Sequence, residues 1–70
     1  MLTKNILVSF DDIHYLLLNV IQVMKDGWYY IKSPKDQKTY WFKPYETWDN
    51  LGDLEPEGTH ETTRVFYKFV

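Results

Sequence analysis

Seventy residues, 44% of them apolar, with no cysteine and a formal net charge of −2, describe one small domain near the lower limit for unaided folding. The composition is too apolar for a disordered chain, and the missing cysteine excludes a disulfide framework and any thiolate metal site. The N-terminal stretch has no long apolar h-region, and no stretch reaches the roughly 20 apolar residues of a membrane span. The expectation is a single domain over residues 1–70, cytoplasmic and off the membrane.

Ile6, Leu7 and Val8 form a brief β-prone run and predict a short first strand. Ser9 then has the chemistry of a helix N-cap, with Asp11 and Asp12 suited to the positive end of a helix dipole. Phe10, Ile13, Leu16, Leu17, Val20, Ile21 and Met24 recur at helical spacing, and Lys25 and Gly27 are stop signals. This pattern predicts an amphipathic helix from about Phe10 to Asp26.

Two aromatic clusters follow. Trp28 to Ser33 reads as a strand, the proline and aspartate of the next segment as a turn, and Thr39 to Lys43 as the returning strand, ended by Pro44. Side chains alternate along a strand. Trp28 and Tyr30 therefore share one face, Tyr29 and Ile31 the other, and Trp41 opposes Tyr40 and Phe42. Tyr45 to Glu61 carries Gly52, Pro56 and Gly58 and reads as mostly loop. Thr62 to Val70 is the last predicted strand, with Val65, Tyr67 and Phe69 opposing Phe66 and Val70. The expected fold class is α+β: one amphipathic helix packed on an antiparallel sheet of three to four strands.

Such a sheet is apolar on both faces, and one helix covers only one of them. The second face then calls for a partner, and a homodimer is the simplest. Charge is unevenly distributed along the chain. Lysines 25, 32, 35, 38 and 43 make the middle basic. Glu46, Asp49, Asp53, Glu55, Glu57 and Glu61 make the later third acidic, with no lysine or arginine between Tyr45 and Thr63.

The sequence offers little chemistry. His14 and His60 lie far apart with no ligand spacing. Ser9 and Ser33 have structural roles, adjacent acids at a helix start are cap residues, and no glycine-rich phosphate loop is present. No cofactor or metal is expected, and the reading is non-enzymatic. Trp28, Tyr40-Trp41 and Thr47-Trp48 resemble the aromatic layout of WW domains, which bind proline-rich peptides. The second tryptophan comes too soon for a third strand, and no residue role is carried over.

The remaining expectation is a small protein-binding module: a stoichiometric inhibitor or adaptor, of the phage (viral) anti-defence or antitoxin-like kind, with an acidic loop able to act as a partial DNA mimic. Its partner-binding residues are Trp41, Tyr29 and Phe66 on the sheet, and Trp48, Asp49, Asp53, Glu55 and Glu57 in the acidic segment. The partner is a protein with a basic surface. The alternative is a single-stranded nucleic-acid binder that stacks bases on the aromatic face and pairs phosphates with Lys32, Lys35, Lys38 and Lys43.

Overall fold

The computed structural model describes residues 4–70 as six strands: β1 (Asn5–Ser9), β2 (Leu16–Val23), β3 (Tyr29–Lys32), β4 (Thr39–Pro44), β5 (Leu51–Pro56) and β6 (Thr63–Phe69). Each strand pairs antiparallel with the next, and β6 returns to pair with β1, so the sheet closes into a barrel. Closure leaves no unpaired strand edge. Among the described residues there is no helix, which overturns the α+β expectation.

A barrel this narrow is filled by its own side chains. Alternation supplies them, each strand turning every second residue inward. Ile6, Val8, Leu18, Ile31, Phe42, Leu54 and Val65 form the buried core, with Val20, Tyr29, Tyr40 and Tyr67 packed against it. The cross-strand register keeps inward residues together: Ile6 faces Leu18, Ile31 faces Tyr40, and Phe42 faces Leu54. Burying each large side chain contributes roughly 1.5–3 kcal/mol. One end of the barrel is closed by aromatic rings. Tyr67 stands edge-on to Phe42 at 5.0 Å, Phe69 lies 5.4 Å from both Tyr29 and Tyr67, and the Lys4 ammonium lies 4.5 Å from the Phe69 ring centre.

The predicted helix is instead a turn followed by β2. Ser9 does cap, but it caps the turn. Its hydroxyl oxygen accepts from the Asp12 amide at 2.8 Å and the Asp11 amide at 3.2 Å. Asp11 continues the work by accepting from the Ile13 and His14 amides at 2.9 and 2.8 Å. These are the donors a first helical turn would leave free. Asp12, at a φ of 64°, then turns the chain away from a helical path. Beyond the turn the apolar run fits a strand as well as a helix. Leu18 and Val20 point inward, Leu17 points outward opposite Leu7, and a bulge between Val20 and Gln22 accommodates Ile21.

The acidic segment is likewise not one loop. Residues 51–56 form β5, which links β4 to β6. Its glycine is what permits the close approach. A Cβ on Gly52 would lie 2.6 Å from the Phe42 ring and 2.8 Å from the Lys43 carbonyl oxygen. Closure makes one face of the sheet the barrel interior, so no helix is needed to cover it, and the other face becomes the outer surface of the barrel.

Two outcomes test this account. Gly52→Ala should destabilise the protein by about 1–3 kcal/mol through overpacking, read as a lower denaturant midpoint; an unchanged midpoint would contradict the Phe42 contact. The second concerns Asp11, whose carboxyl is held well below the ordinary range, first by the His14 side chain and then by the His14 and Ile13 amides. A depressed carboxylate contributes stability that is present above its unfolded value of about 3.9 and is lost as pH falls. Asp11→Ala should therefore melt lower at pH 7 and lose less on acidification below about pH 4; parallel melting curves for both proteins would refute it.

Candidate functional site

The outer face of β3, β4 and β5 gathers aromatic and acidic side chains into one surface. A six-residue connection joins β3 to β4, tied by the Ser33 amide donating to the Lys38 carbonyl at 2.8 Å and the Gln37 amide donating to the Ser33 carbonyl at 2.9 Å. That turn fixes the register. Tyr30 stands opposite Trp41, and Trp41 stands opposite Glu55. The Tyr30 and Trp41 rings lie 4.8 Å apart at 40°, within the range of favourable aromatic pairs.

The carboxylates on this face are anchored. Glu57 accepts from the Tyr30 hydroxyl at 2.8 Å and from the Thr39 hydroxyl. These bonds, Thr39's foremost, hold its carboxyl below the ordinary glutamate range. Glu55 accepts from the Thr62 hydroxyl at 3.0 Å. Both carboxylates are therefore held in fixed orientations by hydroxyl donors rather than left as mobile loop charges.

Beside Trp41 the surface dips into a hollow of about 280 Å³, lined by Met24, Asp26, Trp28, Trp41 and Glu55. The β2–β3 turn supplies one wall. The Met24 amide donates to the Trp28 carbonyl at 2.7 Å, and the Asp26 carboxylate accepts from the Trp28 amide at 3.4 Å. The Lys43 ammonium lies 5.7 Å from the Trp28 ring centre.

The structure divides the residues predicted from sequence. Trp41, Glu55 and Glu57 come together on this face. Asp53 lies one step along β5, with Lys43 opposite on one side and Arg64 on the other, and it accepts from the Tyr45 hydroxyl at 2.6 Å. Trp48 and Asp49 sit in the β4–β5 connection, where Trp48 is half exposed and lies 6.3 Å from Tyr45. Phe66 faces outward on β6 opposite Leu51, and it shares a separate depression with Asp12, Asp49 and Lys68. Tyr29 turns inward against Phe42 and Phe69 and belongs to the packing of the barrel end.

Sequence reasoning missed Trp28, Tyr30, Met24 and Asp26. Alternation had already placed Trp28 and Tyr30 on one face. The missing step was the hairpin register, which brings that face to the Trp41 side. Met24 and Asp26 were hidden by the helix reading.

Among the described residues no group of three or more His, Cys, Asp or Glu is arranged to hold a metal ion. No described helix is long and apolar enough to cross a membrane. No family model, curated protein or solved structure matches the chain. The site is defined by its own geometry: an aromatic face with a shallow acidic hollow, carried on a closed six-stranded barrel.

The hydrogen bonding makes a direct prediction. Tyr30→Phe removes one of the two donors to Glu57, so the Glu57 titration midpoint should rise toward its ordinary value while the Trp41 environment is retained. Carboxyl-carbon NMR titration reads this, and an unmoved midpoint would show that the Tyr30 bond is not made in solution.

Proposed function

We propose that this chain is a non-catalytic protein-binding module, an inhibitor or adaptor, that docks a basic partner through the outer face of β3–β5. One observation carries the reading: Trp28, Tyr30 and Trp41 share a face with Asp26, Glu55 and Glu57, two of those acids being oriented by hydroxyl donors. Aromatic rings set among fixed anions suit an interface whose centre is apolar and whose rim attracts cations. Tryptophan and tyrosine are the side chains most often found as binding anchors.

The same arrangement weighs against the alternatives. A single strand laid over Tyr30 and Trp41 would bring its phosphates against Glu55 and Glu57, and like charges at close range oppose binding. A phosphate-mimicking surface would need its acids contiguous, whereas Asp53 stands between Lys43 and Arg64. The acids that remain beside the rings, Asp26, Glu55 and Glu57, form a small anionic rim.

Panning a random peptide library against the wild-type chain and against Trp41→Lys tests the reading, together with a gel shift using a single-stranded oligonucleotide at low salt. Enriched peptides should carry net positive charge, bind wild type, and fail on a folded Trp41→Lys. Tight, salt-sensitive oligonucleotide binding would transfer the face to nucleic acid. Enriched peptides that bind Trp41→Lys equally well would place the docking surface elsewhere.

A further inference from the structure

We infer that the hollow between Trp28 and Trp41 is a subsite for one arginine side chain of the partner, an assignment that rests on the reading of the β3–β5 face as a protein-docking surface. The hollow, about 280 Å³ and open on one side, suits a single side chain. Its walls are two indoles and the Met24 side chain, and its two ionisable groups, Asp26 and Glu55, are both carboxylates. An occupant therefore needs an apolar stem and a cationic head.

The indole faces supply the first attraction. A cation above a tryptophan ring is held by the ring's negative face. The chain makes such a contact itself, with the Lys43 ammonium 5.7 Å from the Trp28 ring centre. The carboxylates supply the second. Each ionised carboxylate offers about four lone-pair positions. Glu55 accepts one hydroxyl bond, from Thr62, and Asp26 one long amide bond, from Trp28, so both retain acceptor capacity toward the hollow.

Guanidinium fits these walls better than ammonium. An ammonium is compact and strongly hydrated, and it loses more solvation on entering a largely apolar hollow. A guanidinium is planar and weakly hydrated, stacks on an aromatic face, and presents paired N–H donors to a carboxylate. Lys43 is then an internal competitor, because it occupies the Trp28 ring and adds a like charge close to the incoming one.

The test uses the full ¹⁵N-labelled chain, titrated separately with N-acetyl-arginine methylamide, the lysine analogue and the citrulline analogue, an isosteric neutral control. The indole N–H signals of Trp28 and Trp41 are followed. Blocked arginine should move both signals with about tenfold tighter affinity than blocked citrulline, and should bind more tightly than blocked lysine. Glu55→Gln should reduce arginine binding toward the citrulline level. Lys43→Met should tighten it roughly two- to fivefold by removing the competitor. Equal responses to arginine and citrulline, a preference for lysine, or no gain in Lys43→Met would each overturn the assignment. A thymidine dinucleotide that moved the same signals more strongly than arginine would also overturn it. If panning yields basic peptides that require Trp41 while the blocked amino acids show no arginine preference, the subsite fails and the docking face stands. If both fail, the docking face itself is wrong.

Discussion

The pairing of β6 with β1 is the contact on which the molecule depends. Phe69, Lys68, Tyr67 and Phe66 run antiparallel to Ile6, Leu7, Val8 and Ser9, and this ladder turns a six-stranded meander into a closed surface. A chain with strands apolar on both faces has no satisfactory open sheet, because one face would remain in water. Closure resolves this by making one face the interior. Inward residues then meet each other across the barrel, and outward residues are left on a convex surface that nothing else in the described chain covers. Surface closure and the aromatic outer face are thus two results of one constraint.

The division of labour among the aromatics follows from it. Tyr29, Phe42, Tyr67 and Phe69 pack inside or across one barrel end, with ring centres 5.0–6.4 Å apart. These rings supply bulk that a core of aliphatic side chains alone would lack in so short a chain. Tyr30 and Trp41 sit one residue away from inward neighbours and face outward in every case. A shift of one residue in either strand would exchange the two sets, which is why register is strongly specified here.

Much of this was legible in the sequence. The strands near Ile6, Trp28, Thr39 and Thr63 were readable from β-branched and aromatic content, and the alternation within each hairpin strand was correct, although Tyr29, read as a contact residue beside Trp41, turns inward opposite Phe42. The helix was misread because positions 16, 17, 20, 21 and 24 satisfy a helical period while Leu16, Leu18 and Val20 satisfy a strand period in the same run. The Ser9–Asp12 capping chemistry then tipped the reading, although those side chains stabilise an isolated turn equally well. Nothing local distinguishes the two outcomes. The deciding fact is non-local: β2 must lie between β1 and β3 for the barrel to close. The acidic segment was misread for a similar reason. Gly52 and Pro56 look like loop residues, yet Gly52 is the position where the Phe42 ring leaves no room for a side chain, and Pro56 ends the strand. The candidate site was therefore legible in its residue types, through Trp41, Glu55 and Glu57, and not in its geometry, which depends on register across three strands.

The core also determines which charges the outer face presents. A two-residue slip between β4 and β5 would preserve the inside–outside pattern, so alternation alone does not forbid it. The Phe42–Gly52 contact does. Slipping by two would bring the Cβ of Asn50 or Leu54 to the place where a Cβ lies 2.6 Å from the Phe42 ring. With that alternative closed, Trp41 faces Glu55 and Lys43 faces Asp53. The second pairing sets a lysine opposite an aspartate, a favourable cross-strand neighbour. The first sets an indole beside a carboxylate that takes its hydrogen bond from Thr62, leaving an aromatic surface with an anionic border. A glycine inside the barrel thereby fixes, through register, which charged side chains stand beside the aromatic residues of the outer face.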